Sequence, residues 1–142
     1  MVRFWDTSAI IPLFIAERGS TRVQSWYRQD SEIVVWTLTR VELLSAIARR
    51  RREEPQAAAA LSVARRDLLR AWDQWSEVTA VEITRQLAER LIESHPLRAA
   101  DALQVGAALV AAEHDPTSFE FVTFDRNLAN AAEREGFSVL GP

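Results

Sequence analysis

Residues 3–13 of the chain are RFWDTSAIIPL. Within this stretch a short apolar run ends at the charged Asp6, which is followed by a Thr-Ser pair. The run Val2 to Trp5 predicts a short buried strand, and the residues after it have the spacing of a helix. A carboxylate at that junction has two interpretations: it caps the helix, or it lies at the end of a sheet for chemistry. This stretch alone does not choose between them.

The same pattern of a strand followed by a helix recurs along the chain. Further strands are predicted at 33–36, 78–81, 121–124 and 137–140, and helices at 10–17, 20–29, 40–53, 56–75, 83–94, 98–113 and 127–135. This alternation predicts an α/β fold, a three-layer α/β/α sandwich around a mostly parallel five-stranded sheet. The helices at 40–53 and 56–75 have no strand between them, which predicts a helical pair that projects from the sheet.

The composition narrows the class of protein. A chain of 142 residues fits a single domain, 1–142. Cysteine is absent, which excludes disulfides and thiolate metal sites, and no stretch is typical of a signal peptide or a membrane span, so we expect a cytoplasmic protein. All 17 basic residues are Arg, yet the net charge is -3. A polyanionic partner would therefore have to meet a local arginine patch or a bound cation.

Two acids follow predicted strands. Asp6 comes directly after the first strand, and Asp125 closes the fourth. In a parallel sheet these ends lie at the carboxyl edge, where open α/β sheets bind their ligands. Two strand-ending acids in one chain suggest a shared site.

Two further acids open predicted helices. Glu42 follows Thr39 by three residues, which is also the capping-box pattern of a helix start. Asp101 lies beside an apolar helix face where a charge is costly to bury, although the helix dipole or a pair with Arg98 would also explain it. All four acids can converge on one rim of the sheet.

Convergence of carboxylates favours a metal ion. Two carboxylates ~4 Å apart repel by about 4 kcal/mol at an effective dielectric near 20, and a divalent cation removes this cost. Oxygen ligands indicate a hard ion, Mg²⁺ or Mn²⁺ in its place. Zinc is disfavoured because His95 and His114 lack ligand spacing, and both are interpreted as structural.

Two other features have open interpretations. The run ARRRREE at 48–54 is either a phosphate-binding patch or a solvated face whose arginines pair with Glu53 and Glu54. Trp72 and Trp75, placed on one predicted helix, anchor the helical pair to the body or to another chain, with base stacking the less favoured use.

The sequence resembles the PIN-domain ribonucleases, and within them the VapC-type toxins of bacterial toxin–antitoxin pairs. The stretches that carry the resemblance are DTSAII from Asp6, TRVELLSA around Glu42, LRAADALQVGAAL around Asp101 and FVTFDRNLANAAEREGF around Asp125. Each stretch is short, but four in this order at these spacings make a specific signal, and they cover essentially the whole chain.

The resemblance implies a PIN-like fold and assigns the four acids to a metal site that is also catalytic. It implies that the hydroxyls of Thr7, Ser8 and Thr123 support this site. It also implies a homodimer, an RNA substrate and inhibition by a small antitoxin protein. We expect Thr7 or Ser8 to cap the first helix, which leaves Asp6 free to bind Mg²⁺.

A mechanism follows from carboxylate-held Mg²⁺: an activated water attacks an RNA phosphodiester in line, so no nucleophilic side chain is required. Arg98 and Arg126, the arginines nearest to the acids in sequence, are expected to bind flanking phosphates. Two alternatives stay open, a housekeeping RNA-processing PIN nuclease and a PIN-like scaffold that binds RNA or a partner without cleaving. Receiver domains and haloacid-type phosphatases need a lysine, and P-loop proteins need a Gly-Lys motif, which the chain lacks.

Overall fold

A computed structural model describes residues 1–142, and a five-stranded parallel sheet lies at its centre. The strands are β1 (Val2–Trp5), β2 (Ile33–Trp36), β3 (Ser76–Val78), β4 (Phe119–Val122) and β5 (Ser138–Leu140). Their order across the sheet is β3-β2-β1-β4-β5, and all four neighbouring pairs are parallel. The expected mostly parallel sheet is thus entirely parallel.

Seven α-helices connect the strands. They are α1 (Thr7–Phe14), α2 (Ser20–Gln29), α3 (Thr37–Glu53), α4 (Ala58–Trp72), α5 (Val81–Ser94), α6 (Ala99–Ala111) and α7 (Arg126–Glu135). Short 3₁₀ turns at Pro55–Ala57 and Pro116–Ser118 precede α4 and β4. None of the helices is both long enough and apolar enough to span a bilayer.

Helices cover both faces of the sheet, because alternate strand residues point to opposite sides. Phe4 and Phe121 are paired across β1 and β4, stack with ring centroids 5.5 Å apart, and pack in a core with α5, α6 and α7. Trp5 and Val122, the next pair along, belong to a second core with α1 to α4. The predicted three-layer sandwich is confirmed, with one core on each side of the sheet.

The central pair of strands determines where a site can form. From β1 the chain runs outward through β2 to β3, and then crosses to β4 on the other side of β1. The carboxyl ends of β1 and β4 therefore flank the point at which the strand order reverses. In open α/β sheets this point leaves a crevice for ligands.

Two of the predicted strands differ in position. β3 is Ser76–Val78 rather than 78–81; as an edge strand it pairs only with β2, so Ser76 and Glu77 stay exposed and gave no apolar signal. β4 ends at Val122 rather than at residue 124. Asp125 consequently lies beyond a short segment, Thr123–Phe124, and not directly after the strand.

The helical pair, α3 and α4, is present and joins the second core. Leu61, Leu68 and Trp72 of α4 are buried there, so one face of this helix is anchored to the body of the protein. Trp75 lies outside the helix, because α4 ends at Trp72, yet the two indoles still contact each other with ring centroids 5.9 Å apart. Both tryptophans therefore anchor the pair within the chain, as one of the two interpretations had it.

Candidate active site

Asp6 and Asp125 lie at the carboxyl ends of the two central strands. Asp6 follows β1 directly, and its backbone N–H donates to the carbonyl of Val122 at the end of β4 (3.1 Å). Asp125 follows β4 after two residues and begins the turn into α7. Both acids therefore lie at the crevice where the strand order of the sheet reverses.

Both acids also cap helices. The Asp6 carboxylate accepts from the backbone N–H of Ser8 at the start of α1 (3.3 Å), and the Asp125 carboxylate accepts from that of Leu128 in α7 (3.0 Å). The expectation that Thr7 or Ser8 would cap α1 is wrong. The helix begins at Thr7, three residues earlier than predicted, so both hydroxyl residues lie inside its first turn. Capping and a role in the site are therefore compatible for Asp6.

Two hydroxyl side chains connect these strand ends. The Ser8 hydroxyl donates to Asp6 Oδ1 (2.8 Å) and accepts from the Phe124 backbone N–H (2.9 Å). The Thr123 hydroxyl lies 3.2 Å from that of Ser8 and accepts from the Asp125 backbone N–H (2.9 Å). This network fixes the segment after β4 against the start of α1, and it holds the two acids in a defined arrangement.

Glu42 lies in the second turn of α3 and faces the start of α1. Its Oε1 accepts from the Thr7 hydroxyl (3.2 Å). The capping-box interpretation is wrong, because α3 begins at Thr37 and Thr39 lies fully buried within the helix. Glu42 is thus not occupied in capping and is available to the site.

Gln104 is a site residue that the sequence analysis missed. Its side-chain Nε2 donates to Glu42 Oε1 and to Thr39 Oγ1, both over 2.8 Å, and lies 3.3 Å from Thr7 Oγ1. The side chain is only 2% exposed, and its Oε1 has no partner. A glutamine inside the otherwise apolar stretch ALQVGAAL was the available signal, since a buried polar group needs a partner. Gln104 holds the carboxylate of Glu42.

The four acids are linked by their charges. Burial raises the pKa of Asp101, in the first turn of α6, and the charge of Asp125 raises it further, whereas Arg98 lowers it. Burial also raises the pKa of Glu42, with a smaller upward contribution from Asp101, while hydrogen bonds from Gln104 and Thr7 lower it. Asp125 and Asp101 thus connect Asp6 at one end with Glu42 at the other.

Asp6 is the most strongly perturbed of the four. Its side chain is 3% exposed, and burial raises its pKa to about 7. Hydrogen bonds from Ser8 and Thr123 lower this pKa, and the charge of Asp125 raises it. Desolvation of the buried carboxylate is the main cause of this shift, because burial disfavours the ionised form.

The chemistry of this group fits a hard divalent cation. All of its donors are carboxylate oxygens, the ligands that hard divalent cations prefer. Burial, and to a smaller extent a neighbouring carboxylate, raises the pKa of Asp6, Glu42 and Asp101, and a bound cation would favour their ionised forms. As the side chains stand, no three His, Cys, Asp or Glu residues lie close enough together to hold a metal ion. The acids are therefore an open, electrostatically coupled set, and cation binding would require their side chains to draw together.

A cleft of about 690 Å³ opens beside the acids. Asp101 and Asp125 line it together with Arg98, His95 and Asn127, a residue that the sequence analysis did not single out. Arg126, the first residue of α7, is exposed and does not line this cleft. Of the two arginines expected near the acids, the structure brings only Arg98 to the cleft.

The remaining candidates have structural contacts. His95 is buried, and its Nε2 lies 2.7 Å from a carboxylate oxygen of Glu135, which also pairs with Arg90. In the arginine run of α3, Arg50 pairs with Glu17, which lies in the α1–α2 loop, rather than with Glu53 or Glu54. The expected internal pairing of that run is wrong.

The comparisons with known proteins agree with this geometry. The model of the PIN domain family matches residues 3–134. The chain belongs to the PIN domain family. This confirms the resemblance seen in the sequence, and the four acids and Gln104 all lie within the matched PIN region.

Three known proteins are similar to this PIN-domain chain in sequence or in fold. It is 30% identical over 140 residues to ribonuclease VapC45 of Mycobacterium tuberculosis, covering 96% of this chain and 92% of the relative. Its fold is similar to that of PAE2754 from Pyrobaculum aerophilum, with a TM-score of 0.71, 16% identity and coverage of 99% and 89% of the two chains. It is also similar to VapBC2 from Rickettsia felis, solved with a promoter DNA fragment, with a TM-score of 0.64, 12% identity and coverage of 100% and 99%. The VapC-type resemblance is confirmed.

Proposed function

We propose that this PIN domain is a Mg²⁺-dependent endoribonuclease that acts in the cytoplasm as the toxin of a toxin–antitoxin pair. The observation that carries the proposal is the charge-coupled group of Asp6, Glu42, Asp101 and Asp125 at the strand reversal of the sheet. Similarity to ribonuclease VapC45 supports RNA as the substrate.

The four acids would hold Mg²⁺, or Mn²⁺ in its place. When bound, the cation supplies a Lewis acid that lowers the pKa of water and offsets the charge that grows on the phosphoryl group. The contribution of the chain itself is to orient the carboxylates through hydrogen bonds. Ser8 orients Asp6, and Thr7 and Gln104 orient Glu42, so these two carboxylates face the site before the cation and the substrate bind. The chain contains no cysteine, and none of its residues is assigned as a covalent nucleophile.

Arg98 and Arg126 are proposed to contact phosphates near the scissile bond. Arg98 lines the cleft with Asp101 and Asp125, so its guanidinium stands beside the proposed reaction site. Arg126 lies next to Asp125 in sequence and is exposed. Arginine suits this role because its planar guanidinium donates two parallel hydrogen bonds to a phosphate.

The proposed partners are a second copy of the chain and a small antitoxin protein. Support for the antitoxin comes from the similarity of the fold to VapBC2, which was solved with its promoter DNA. A gene for a small DNA-binding protein beside the gene for this chain would support the toxin assignment. Its absence would favour a housekeeping nuclease.

Cleavage assays with single variants test the proposal. Asp6→Asn or Asp101→Asn should abolish Mg²⁺-dependent cleavage of total RNA and leave the circular dichroism spectrum unchanged. Asp73→Asn, an exposed aspartate at the end of α4, is the matched control and should cleave normally. Full cleavage by both site variants, or by the parent chain in EDTA, would refute the metal-dependent mechanism.

Expression in bacteria tests the biological role. The parent chain without a partner should arrest growth, whereas the Asp6→Asn variant should not. Growth that continues normally with the active enzyme would contradict the toxin assignment while leaving the nuclease assignment in place. Mapping of the RNA ends after incubation with the purified protein would then identify the cleaved RNA.

A further inference from the structure

A groove of about 550 Å³ lies between α1, α2 and α3, and Ser8 is one of its lining residues. We call it the arginine groove, after its four arginines: Arg18, Arg22, Arg49 and Arg50. Glu17 is its one acidic residue, so its side chains carry a net charge of +3, in a chain whose overall charge is -3. The net charge of the groove is therefore opposite in sign to the net charge of the whole chain.

The arginine groove adjoins the acidic site at Ser8 and Phe124. Ser8 lines the groove and donates to Asp6, and Phe124 lines it directly before Asp125. On α3, Ala46, Arg49 and Arg50 follow Glu42 by four, seven and eight residues, which places them on the same helix face. Seven residues of helix rise by about 10 Å, so the arginines lie roughly that far along α3 from Glu42.

Two of the four arginines have partners within the chain, and the other two have none. Arg50 pairs with Glu17, and Arg22 donates to the carbonyl of Gly141 (2.6 Å) while its guanidinium lies over the ring of Phe124 (5.5 Å to the centroid). Arg18 and Arg49 are exposed and form neither an ion pair nor a side-chain hydrogen bond. Their charges are available to a ligand.

The loop that carries Arg18 is held in one conformation. Gly19 has a φ of +91°, and a Cβ there would lie 2.9 Å from the Phe124 ring, so the backbone packs directly on that side chain. The Ser20 hydroxyl accepts from the Glu17 backbone N–H (3.0 Å) and donates to the Ile15 carbonyl (3.3 Å). The wall of the groove is formed before any ligand binds.

We propose that the arginine groove binds the backbone phosphates of single-stranded RNA that flank the cleaved bond, with Arg18 and Arg49 as the principal contacts. This inference rests on the proposed nuclease function and adds to it the path of the substrate. An RNA strand that is held at four acids gains little affinity from that end, so cations further along the strand must supply it. On α3 the groove offers such cations about 10–12 Å along the helix from Glu42.

Binding of RNA to a non-cleaving background tests this path. In the Asp6→Asn chain, Arg18→Ala with Arg49→Ala is compared with a control of equal charge change, Arg65→Ala with Arg70→Ala, on the exposed face of α4. A fluorescently labelled single-stranded RNA of mixed sequence is titrated over a series of salt concentrations. The groove variant should bind about tenfold more weakly at low salt, and its plot of log affinity against log salt should be shallower by about 1.4.

Cleavage kinetics give a second readout in the chain with Asp6 intact. The groove variant should raise KM and leave kcat near the parent value, because the arginines lie away from the reacting bond. Binding and salt dependence equal to those of the control variant would overturn the groove assignment alone. Unchanged RNA binding with weaker binding of an acidic partner protein would also overturn it. A parent chain that neither binds nor cleaves RNA would refute the proposed function as well.

Discussion

The Nε2 of Gln104 in α6 donates to the Oε1 of Glu42 in α3 over 2.8 Å, although the two residues are 62 positions apart in sequence. Gln104→Leu removes this bond and leaves the carboxylate with the Thr7 hydroxyl as its remaining side-chain donor. Partners that orient a ligand residue are worth 10–100-fold in metal affinity or activity, so cleavage should fall by at least about tenfold. Cleavage rates over a Mg²⁺ titration measure the effect.

Thr84→Val is the matched control for that substitution. Thr84 lies on α5, which packs against α6, and its hydroxyl is buried without a partner. Its removal leaves no group unpaired, so stability should be equal or slightly higher and cleavage unchanged. If Gln104→Leu were as active as Thr84→Val, Gln104 would have no role in positioning Glu42.

The free energy of unfolding should fall as pH rises in the absence of metal. Burial raises the pKa of Asp6 to about 7, so the folded chain keeps a proton that the unfolded chain releases near pH 4. The folded state therefore binds more protons between these values, and its stability declines across this window by up to about 4 kcal/mol before levelling off. Glu42 and Asp101 act in the same direction.

Urea denaturation in EDTA at a series of pH values measures that decline. The Asp6→Asn chain should lose most of the slope, because its side chain has no proton to release. The exposed Asp73→Asn substitution should keep the parental slope. Stability that rises with pH through the same window would contradict a buried, raised-pKa Asp6.

Mg²⁺ should raise the thermal midpoint most where the acids are ionised. At about pH 8 a cation at a hundred times its Kd stabilises the folded state by about 2.7 kcal/mol, and near pH 4.5 protons compete with it, so the effect should be much smaller. NaCl of matched ionic strength controls for screening. An equal rise in the Asp101→Asn chain would mean that the cation binds elsewhere.

Gly19→Ala should destabilise the protein by roughly 1–3 kcal/mol, because an L-residue at a φ of +91° is strained and its Cβ contacts the Phe124 ring. Gly19→Asn separates the two causes, since asparagine tolerates positive φ better but brings the same Cβ. Chemical denaturation measures both variants. A loss confined to Gly19→Ala would assign the cost to backbone conformation, and a neutral Gly19→Ala would contradict the tight loop.

The bounds of β1 and β2 could be predicted from the sequence because most of their apolar residues are buried. The predicted bounds of both strands match the structure, since apolar runs such as Ile33–Trp36 mark strands covered on both sides. The edge strand β3 could not be predicted as well, because exposed Ser76 and Glu77 interrupt the apolar pattern. The start of α3 was misplaced because Thr39 has the sequence signature of a cap, although its hydroxyl pairs with Gln104 instead.

The acids could be located from the sequence because each follows a strand or opens a helix at the same edge of the sheet. The groups that support them could not, since their partners are distant in the chain. Gln104 reaches Glu42 only when α6 packs near α3, and the arginine groove joins residues of the α1–α2 loop with residues of α3. Such pairings depend on how the helices pack, which periodicity does not specify.

The pairing of β1 with β4 determines when the acidic site can assemble during synthesis of the chain. The Phe124 backbone N–H that bonds Ser8 is 116 residues away from it in sequence, and Asp125 comes later still. A ribosome adds about 5–20 residues per second, so Asp6 waits for seconds before its neighbouring strand emerges. The nascent chain therefore lacks its acidic site until most of the polypeptide has been made.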